Sequence, residues 1–228
     1  MTDNRLDSML REKGWMVPAA VALVATSILL PLLGSTGLWD PHESLAAELA
    51  REAAREGAWL PLRFDGEPVV GLPPLFFWLN GLVMMVAGTS EWAVRLPTAL
   101  LAVGFVVVAA QQVARLVDRP TGVLAGVALC TSTFLVTAAR HASPDLLAAM
   151  TLTVATLQAL ICILGHRQGG TRDHWMLHAM AAAVVLSAGF VPLLVLAAAL
   201  SSGALLGSIP AGRLKALIPS RWTWTPWL

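Results

Sequence analysis

Long apolar runs, separated by polar segments, make up most of this chain. The runs cover residues 17–34, 73–88, about 96–114, 121–139, 145–165, 175–189 and 190–208. Most of them reach or approach the roughly 18 to 20 residues that an α-helix needs to cross a bilayer. The pattern therefore predicts an all-α integral membrane protein.

The run at 73–88 is the shortest of the early runs and begins with two prolines. It either spans the bilayer or lies along its surface. Cationic connectors decide between these alternatives, because Lys and Arg concentrate in cytoplasmic loops. If 73–88 does not span, the later cations fall on the same side as those of the N-terminus. These residues are Arg5, Arg11 and Lys13, then Arg115, Arg119, Arg167, Arg172, Arg213, Lys215 and Arg221.

This charge distribution predicts about six transmembrane helices, with both termini cytoplasmic and amphipathic interfacial helices in the first outer loop. Residues 1–16 form the cytoplasmic N-terminus, and 17–209 form one transmembrane module whose outer loop is 35–94. The charged lead and the lack of an A-x-A site favour an uncleaved anchor over a signal peptide. The Trp-rich tail, 210–228, is either a cytoplasmic or interfacial anchor or the lead into a further helix.

Composition supports this assignment and narrows the function. The chain has 228 residues, of which 57% are hydrophobic and 13% charged, whereas a soluble domain has about a quarter charged. The formal net charge of +1 gives no reason to expect a nucleic-acid partner. Cys130 and Cys162 both lie inside apolar runs, where we expect buried thiols rather than a disulfide or metal site.

The polar segment 39–74 is the first candidate site. Asp40 is suited to a helix N-cap, Pro41 to the first helical position and Glu43 to a capping box. The following SLAAELAREAARE predicts an amphipathic helix on the outer leaflet. A capped surface helix with solvated ion pairs accounts for this pattern without any chemistry.

A second polar cluster, ARHASPD, lies on the same predicted face. Ser143 and Pro144 make Asp145 part of a common helix opening, while Arg140 and His141 form a cationic pair beside it. Carboxylates and cations that converge at a membrane surface can bind a phosphate head group and supply a general base. Together the two clusters therefore favour a functional site at this surface.

The series WDPHE, SLAAELARE, DGEPVVGLPPLFFWLNGL, EWAVRLPTALLA, ARHASPDLL and LSAGFVPLL covers roughly residues 36–195. It resembles the N-terminal half of GT-C type membrane glycosyltransferases, above all protein O-mannosyltransferases and the aminoarabinose transferases of lipid A. The resemblance implies transfer of a sugar, with inversion, from a polyprenyl-phosphate donor to a lipid, glycan or protein acceptor at the outer face. It also implies a bacterial inner-membrane location.

The family's catalytic Asp-Glu pair falls on His42 and Glu43, so the resemblance makes Asp40, two residues earlier, the replacement base. Leu72 and Ala188 stand where the family has lysines that meet donor phosphate. The expected catalytic residues are therefore Asp40, His42 and Glu43, and the expected substrate-binding residues are Arg140, His141, Asp145, Arg63 and Glu67.

Two functions stay open at this point. The chain is either a glycosyltransferase, or its N-terminal module, or a degenerate subunit that binds a lipid-linked sugar or a partner enzyme supplying the C-terminal half. A transporter is a weaker third reading, because no charge pair lies within a predicted helix. The sequence requires no cofactor, leaves a divalent metal at Asp145 open, and specifies neither sugar nor acceptor.

Overall fold

The computed structural model describes residues 16–38, 41–164 and 171–205, and these are almost entirely helical. The helices are α1 (Met16–Leu29), α2 (His42–Glu56), α3 (Leu75–Ala87), α4 (Glu91–Leu116), α5 (Arg119–Thr131), α6 (Thr133–Ala139), α7 (Pro144–Leu164), α8 (Thr171–Ala188) and α9 (Val191–Leu205). Strands β1 (Leu62–Phe64) and β2 (Glu67–Val69) form an antiparallel hairpin. The expected helical class is correct except for this hairpin.

Two helices in the described ranges, α4 with 26 residues and α7 with 21, are long and apolar enough to cross a membrane. A third candidate is the pair α5 and α6, which bends by 60° at Ser132. The apolar parts of α1, α3 and α8 are shorter. The chain is thus a helical membrane protein with two or three candidate spans, and the six-helix arrangement stays a prediction.

Helix α4 is the centre of the packing, since it contacts α1, α3, α5 and α7. Its inward face is built from small side chains such as Ala99 and Ala102, which are fully buried. Gly122 of α5 lies so near α4 that an added Cβ would stand 2.5 Å from the Cβ of Ala114 and 2.6 Å from the carbonyl oxygen of Ala110. Small residues of this kind let membrane helices approach closely.

Hydrogen bonds between residues that are far apart in sequence show which helix ends lie together. Arg95, in the second turn of α4, donates to the carbonyl oxygens of Leu33 and Gly37, just after α1. Arg140, at the end of α6, donates to the carbonyl oxygen of Pro31 at 2.5 Å. We call this the Arg95 end of the molecule.

The opposite end is marked by the last two turns of α4 and of α7. The side-chain amide of Gln112 donates to Gln158 Oε1 at 3.2 Å, and Arg115 pairs with Asp173 of α8 at 2.7 Å. Twenty residues separate Arg95 from Arg115, which is about 30 Å of helix and close to the thickness of a bilayer's hydrocarbon core. We call this second region the Arg115 end.

The chain leaves α1 and enters α4 at the same Arg95 end. The segment 30–94 therefore returns to its starting side, and α3, with 13 residues, covers only about 20 Å. The full hydrocarbon core is about 30 Å thick, so α3 is shorter than a straight crossing requires. That residues 73–88 do not span the bilayer stays a prediction.

Several predicted boundaries shift. The first run was expected to stay helical to residue 34, but α1 ends at Leu29, because Pro31 lacks a backbone N–H and a turn follows. The run 121–139 is broken rather than continuous. Helix α2 begins at His42 with Pro41 as its N-cap, one residue later than expected. Asp40, residues 1–15 and the tail 210–228 lie outside the described residues.

Candidate functional site

A buried ion pair anchors the Arg95 end. Glu43 in the first turn of α2 and Arg95 of α4 are each 3% exposed. Arg95 Nε lies 3.0 Å from Glu43 Oε1, and Arg95 Nη2 lies 2.7 Å from Glu43 Oε2. The planar guanidinium and the carboxylate thus meet with two parallel hydrogen bonds, the strongest geometry for such a pair.

Arg95 uses its remaining donors on the segment after α1. Its Nη1 donates to the carbonyl oxygens of Leu33 at 2.9 Å and Thr36 at 2.8 Å, and its Nη2 donates to that of Gly37 at 2.8 Å. One side chain thereby fixes the end of α1 relative to the starts of α2 and α4. The same contacts give a donor to the buried carbonyl oxygen of Leu33.

Glu43 also reaches the turn between α6 and α7. Its Oε1 accepts a hydrogen bond from the backbone N–H of Ala142 at 2.7 Å. The capping role expected for Glu43 is local, whereas Arg95 and Ala142 are distant partners that join the two polar clusters found in the sequence. Because both carboxylate oxygens already accept N–H groups, Glu43 is better suited to holding this site together than to taking a proton.

A cavity of about 520 Å³ opens beside this pair. Its lining residues are His42, Glu43, Leu45, Ala46, Leu49, Leu72, Phe77, His141, Ala142, Ser143, Pro144 and Asp145. The first turns of α2 and α7 both face it. Ser143 caps α7 by accepting the backbone N–H of Leu146 at 3.3 Å. Two helix N-termini, each with a partial positive charge, therefore point at one cavity.

The cavity has a polar side and an apolar side. His42, His141 and Asp145 supply titratable groups, while Leu72 and Phe77 form hydrophobic wall. No lysine or arginine is among the lining residues in the part of the chain that the structure describes. Leu72 lies at the position where the family resemblance leads us to expect a phosphate-binding lysine.

The outward face of α2 carries a separate charged pocket of about 300 Å³, lined in part by Glu48, Arg51 and Glu52. A hydrogen bond from Arg51 lowers the pKa of Glu48 below its ordinary value. Glu52 Oε1 accepts the backbone N–H of Gly66 at 3.0 Å. This last hydrogen bond joins the hairpin to α2, away from the cavity.

Four predicted site residues meet at the cavity, namely His42, Glu43, His141 and Asp145. Three others do not line it: Arg140 donates to Pro31, and Arg63 and Glu67 belong to the hairpin. Arg63 contacts its own turn, with Nη1 at 3.4 Å from the carbonyl oxygen of Gly66. Their expected substrate contacts therefore lack support from this arrangement.

Arg95 is the residue that sequence reasoning missed. It lies in the motif EWAVRLPTALLA, but no local pattern there predicts a structural or binding role for it. The available signal was its position near the start of a long apolar helix, where an unpaired charge would be costly and a partner should be sought. Within the described residues, no group of three or more His, Cys, Asp or Glu side chains could hold a metal ion.

A sequence model of the family described as dolichyl-phosphate-mannose-protein mannosyltransferase matches residues 72–225. An uncharacterized protein of Aquifex aeolicus is 31% identical over 115 residues, which are 50% of this chain and 23% of that protein. The undecaprenyl phosphate-alpha-4-amino-4-deoxy-L-arabinose arabinosyl transferase of Edwardsiella ictaluri is 30% identical over 54% of this chain and 22% of its own length.

Among solved structures, ArnT from Cupriavidus metallidurans in the apo state superposes with a TM-score of 0.79 at 21% identity, over 91% of this chain and 38% of ArnT. The same protein bound to undecaprenyl phosphate gives a TM-score of 0.72 over 90% of this chain and 39% of that one. The fold is therefore shared with part of ArnT. This chain spans about two fifths of that protein and under a quarter of the two sequence relatives.

Proposed function

This chain belongs to the dolichyl-phosphate-mannose-protein mannosyltransferase family, and we propose that it binds a polyprenyl-phosphate-linked sugar in the cavity at the Arg95 end and transfers that sugar to an acceptor. Family membership confirms the resemblance drawn from the motifs. The substrate, the transfer reaction and the participation of this chain alone belong to the proposal.

The observation that carries the proposal is the convergence of two helix N-termini on one cavity. The amide groups in the first turns of α2 and α7 attract an anion, and His42 and His141 lie beside them. Glu43 does not cancel this attraction, since Arg95 neutralises it. A donor phosphate would therefore be received by backbone amides and imidazoles.

The apolar part of the cavity suits the rest of the donor. Leu72 and Phe77 form a wall on which a polyprenyl chain loses contact with water, and Leu72, at 38% exposed, has side-chain surface to offer it. Burial of hydrocarbon contributes roughly 0.8 kcal/mol per CH₂ group. The cavity thus has separate surfaces for the two parts of an amphipathic donor.

The transfer step needs a group that removes the acceptor's proton. The acceptor oxygen bonds to the anomeric carbon of the sugar, the bond from that carbon to the phosphate oxygen breaks, and polyprenyl phosphate leaves. Of the two carboxylates that line the cavity, Asp145 is the one without an arginine contact in the described chain. We therefore assign it the role of the general base that takes the acceptor's proton. Asp40 is the competing base, and Glu43 is a positioning residue.

The proposal extends to topology. We propose that the chain crosses the bilayer six times between the Arg95 end and the Arg115 end. The crossings are α1, α4, the bent pair α5 and α6, α7, α8 and α9. The cavity would then face the outer side of a bacterial inner membrane, with both termini in the cytoplasm. This orientation rests on the cationic connectors.

A transfer assay with the full chain tests the function. Purified protein in detergent is incubated with an undecaprenyl-phosphate-linked sugar and membrane lipid acceptors, and release of undecaprenyl phosphate is followed. We expect Asp145→Asn to reduce transfer by about 100-fold or more with donor binding retained. Transfer by Asp145→Asn at the wild-type rate, with loss in Asp40→Asn, would move the base to Asp40.

The second function, binding without turnover, is favoured by the lack of lysine and arginine among the described lining residues. In that case native mass spectrometry would detect bound donor while the assay detects no release. Absence of both binding and release would rule out the cavity as a donor site.

A further inference from the structure

A second cavity lies at the Arg115 end, opposite the proposed donor site. It has a volume of about 370 Å³ and lies between α1, α4 and α5. Its lining residues are Pro18, Val21, Val107, Ala110, Gln111, Ala114, Arg115, Arg119, Gly122 and Val123. Nothing in the proposed transfer reaction uses this cavity.

The chemistry of the lining changes in order along α4. Val107, Gln111 and Arg115 are spaced by four residues, so they follow one face of the helix over about 12 Å. The face passes from a hydrocarbon side chain to an amide and then to a guanidinium. A glycerophospholipid has the same order of groups, from acyl chain to ester carbonyl to phosphate.

The cationic rim is held in place by the protein. Arg115 donates to Asp173 Oδ1 at 2.7 Å through one Nη, which fixes the guanidinium and leaves further N–H groups on its fork. Asp118 is the other carboxylate nearby, and its Oδ1 accepts the backbone N–H of Thr121 at 2.8 Å. One oxygen of each carboxylate therefore accepts a hydrogen bond within the protein.

The predicted location of this cavity offers the arginines an oppositely charged partner, an anionic lipid. Arg115 and Arg119 line the cavity and form one of the cationic connectors that the sequence predicts to be cytoplasmic, and the cytoplasmic leaflet contains anionic lipids. An anionic lipid therefore encounters positive charge at the mouth of an apolar groove.

We propose that the cavity between α1, α4 and α5 binds an anionic glycerophospholipid of the surrounding membrane. Its acyl chain lies along Val107 and Val21, Gln111 donates to an ester carbonyl, and Arg115 and Arg119 receive the phosphate. The amide donor distinguishes this lipid from a polyprenyl phosphate, which has no ester carbonyl to accept it.

Native mass spectrometry of the full chain in detergent tests this site, with phosphatidylglycerol, phosphatidylcholine and undecaprenyl phosphate offered separately. Arg119→Gln and Gln111→Ala are compared with Arg63→Gln, which removes an exposed arginine from the hairpin at the other end. Circular dichroism establishes that all three variants retain the helical content of the wild type.

We expect phosphatidylglycerol to bind more tightly than phosphatidylcholine, and Arg119→Gln to weaken its binding about tenfold, the effect of one charge-assisted hydrogen bond. Gln111→Ala should weaken phosphatidylglycerol binding several-fold and leave undecaprenyl phosphate unchanged, while Arg63→Gln should alter neither. Wild-type binding by Arg119→Gln, or an equal loss in Arg63→Gln, would overturn the proposal. Equal effects of Gln111→Ala on both lipids would overturn the glycerophospholipid assignment.

Discussion

At the scale of single residues, Glu43 and Arg95 form the contact on which the Arg95 end depends. A charge buried without a partner is far more costly than the pair itself, because the pair shares two hydrogen bonds and cancels both charges. Arg95 satisfies backbone carbonyls after α1 in addition. Loss of either member should therefore disturb several segments at once.

We expect Glu43→Gln to lower the free energy of unfolding by about 3–5 kcal/mol, since it leaves the Arg95 charge buried without its carboxylate. The measurement is a denaturant titration in mixed micelles followed by circular dichroism. Glu48→Gln is the matched control on the same helix. It breaks the more exposed pair with Arg51 and should cost less than about 1 kcal/mol. Equal losses in the two variants would contradict the structural role of Glu43.

Leu72 provides a second test at this scale, by gain of a charge. Leu72→Lys introduces an ammonium group into the cavity wall, where it can meet a phosphate. We expect undecaprenyl phosphate to bind about tenfold more tightly, as measured by native mass spectrometry. Leu60→Lys adds the same charge to the same loop at an exposed residue that does not line the cavity. It should leave the affinity near the wild-type value, and a similar gain there would show a non-specific charge effect.

At the scale of elements, the crossing of α4 and α5 is determined by small side chains. Gly122 allows the two backbones to approach to a distance that no side chain bearing a Cβ would permit. In a membrane, burying an apolar side chain between two helices gives no hydrophobic gain, because the lipid tails around it are equally apolar. Van der Waals contact between closely approaching helices stabilises the crossing instead. The crossing therefore depends on shape more than on hydrophobicity.

Gly122→Ala should destabilise the protein by about 1–3 kcal/mol, because the added methyl group forces α4 and α5 apart. Gly104→Ala is its control within α4, since nothing lies within 4 Å of an added Cβ there. This second variant should keep the wild-type stability or exceed it slightly, as alanine favours helix. Thermal unfolding in detergent compares the two, and an unchanged midpoint in Gly122→Ala would contradict the packing.

At the scale of the whole molecule, the two ends have different chemistry. The Arg95 end holds a cavity with imidazoles and carboxylates, and the Arg115 end holds a groove with arginines. About 30 Å of α4 separates them. A helical membrane protein with this arrangement can present one site to each surface of a bilayer.

Cysteine labelling in intact cells tests which segments share a side. Val70 and Thr89 flank α3, and Val117 lies between α4 and α5. We expect Val70→Cys and Thr89→Cys to react with a membrane-impermeant maleimide from outside, and Val117→Cys to react only after permeabilisation. Cys130 and Cys162 are buried, so the wild type is the background control. Labelling of Val70→Cys and Thr89→Cys from opposite sides would make α3 a spanning helix.

The sequence named several residues that line the cavity at the Arg95 end, but it did not predict the contacts between them. Glu43, His141 and Asp145 were named from local patterns and His42 from the family resemblance, and all four line one cavity. Arg63, Glu67 and Arg140 were also named from the sequence and do not line that cavity, because a polar residue in a loop looks the same in sequence whichever way the loop turns. The hairpin had a signal in Asp65-Gly66, a favoured two-residue turn, that the helical pattern of the chain concealed.

The sequence by itself determined the helical membrane class, the approximate position of most helices and the family. Apolar run length and the order of short motifs are local properties, and neither depends on how the helices pack. Only the tertiary structure decided that Glu43 serves Arg95 and Ala142, since those partners are 52 and 99 residues away. Contacts between residues so far apart depend on which helix ends lie together, and the periodicity of apolar residues does not indicate this.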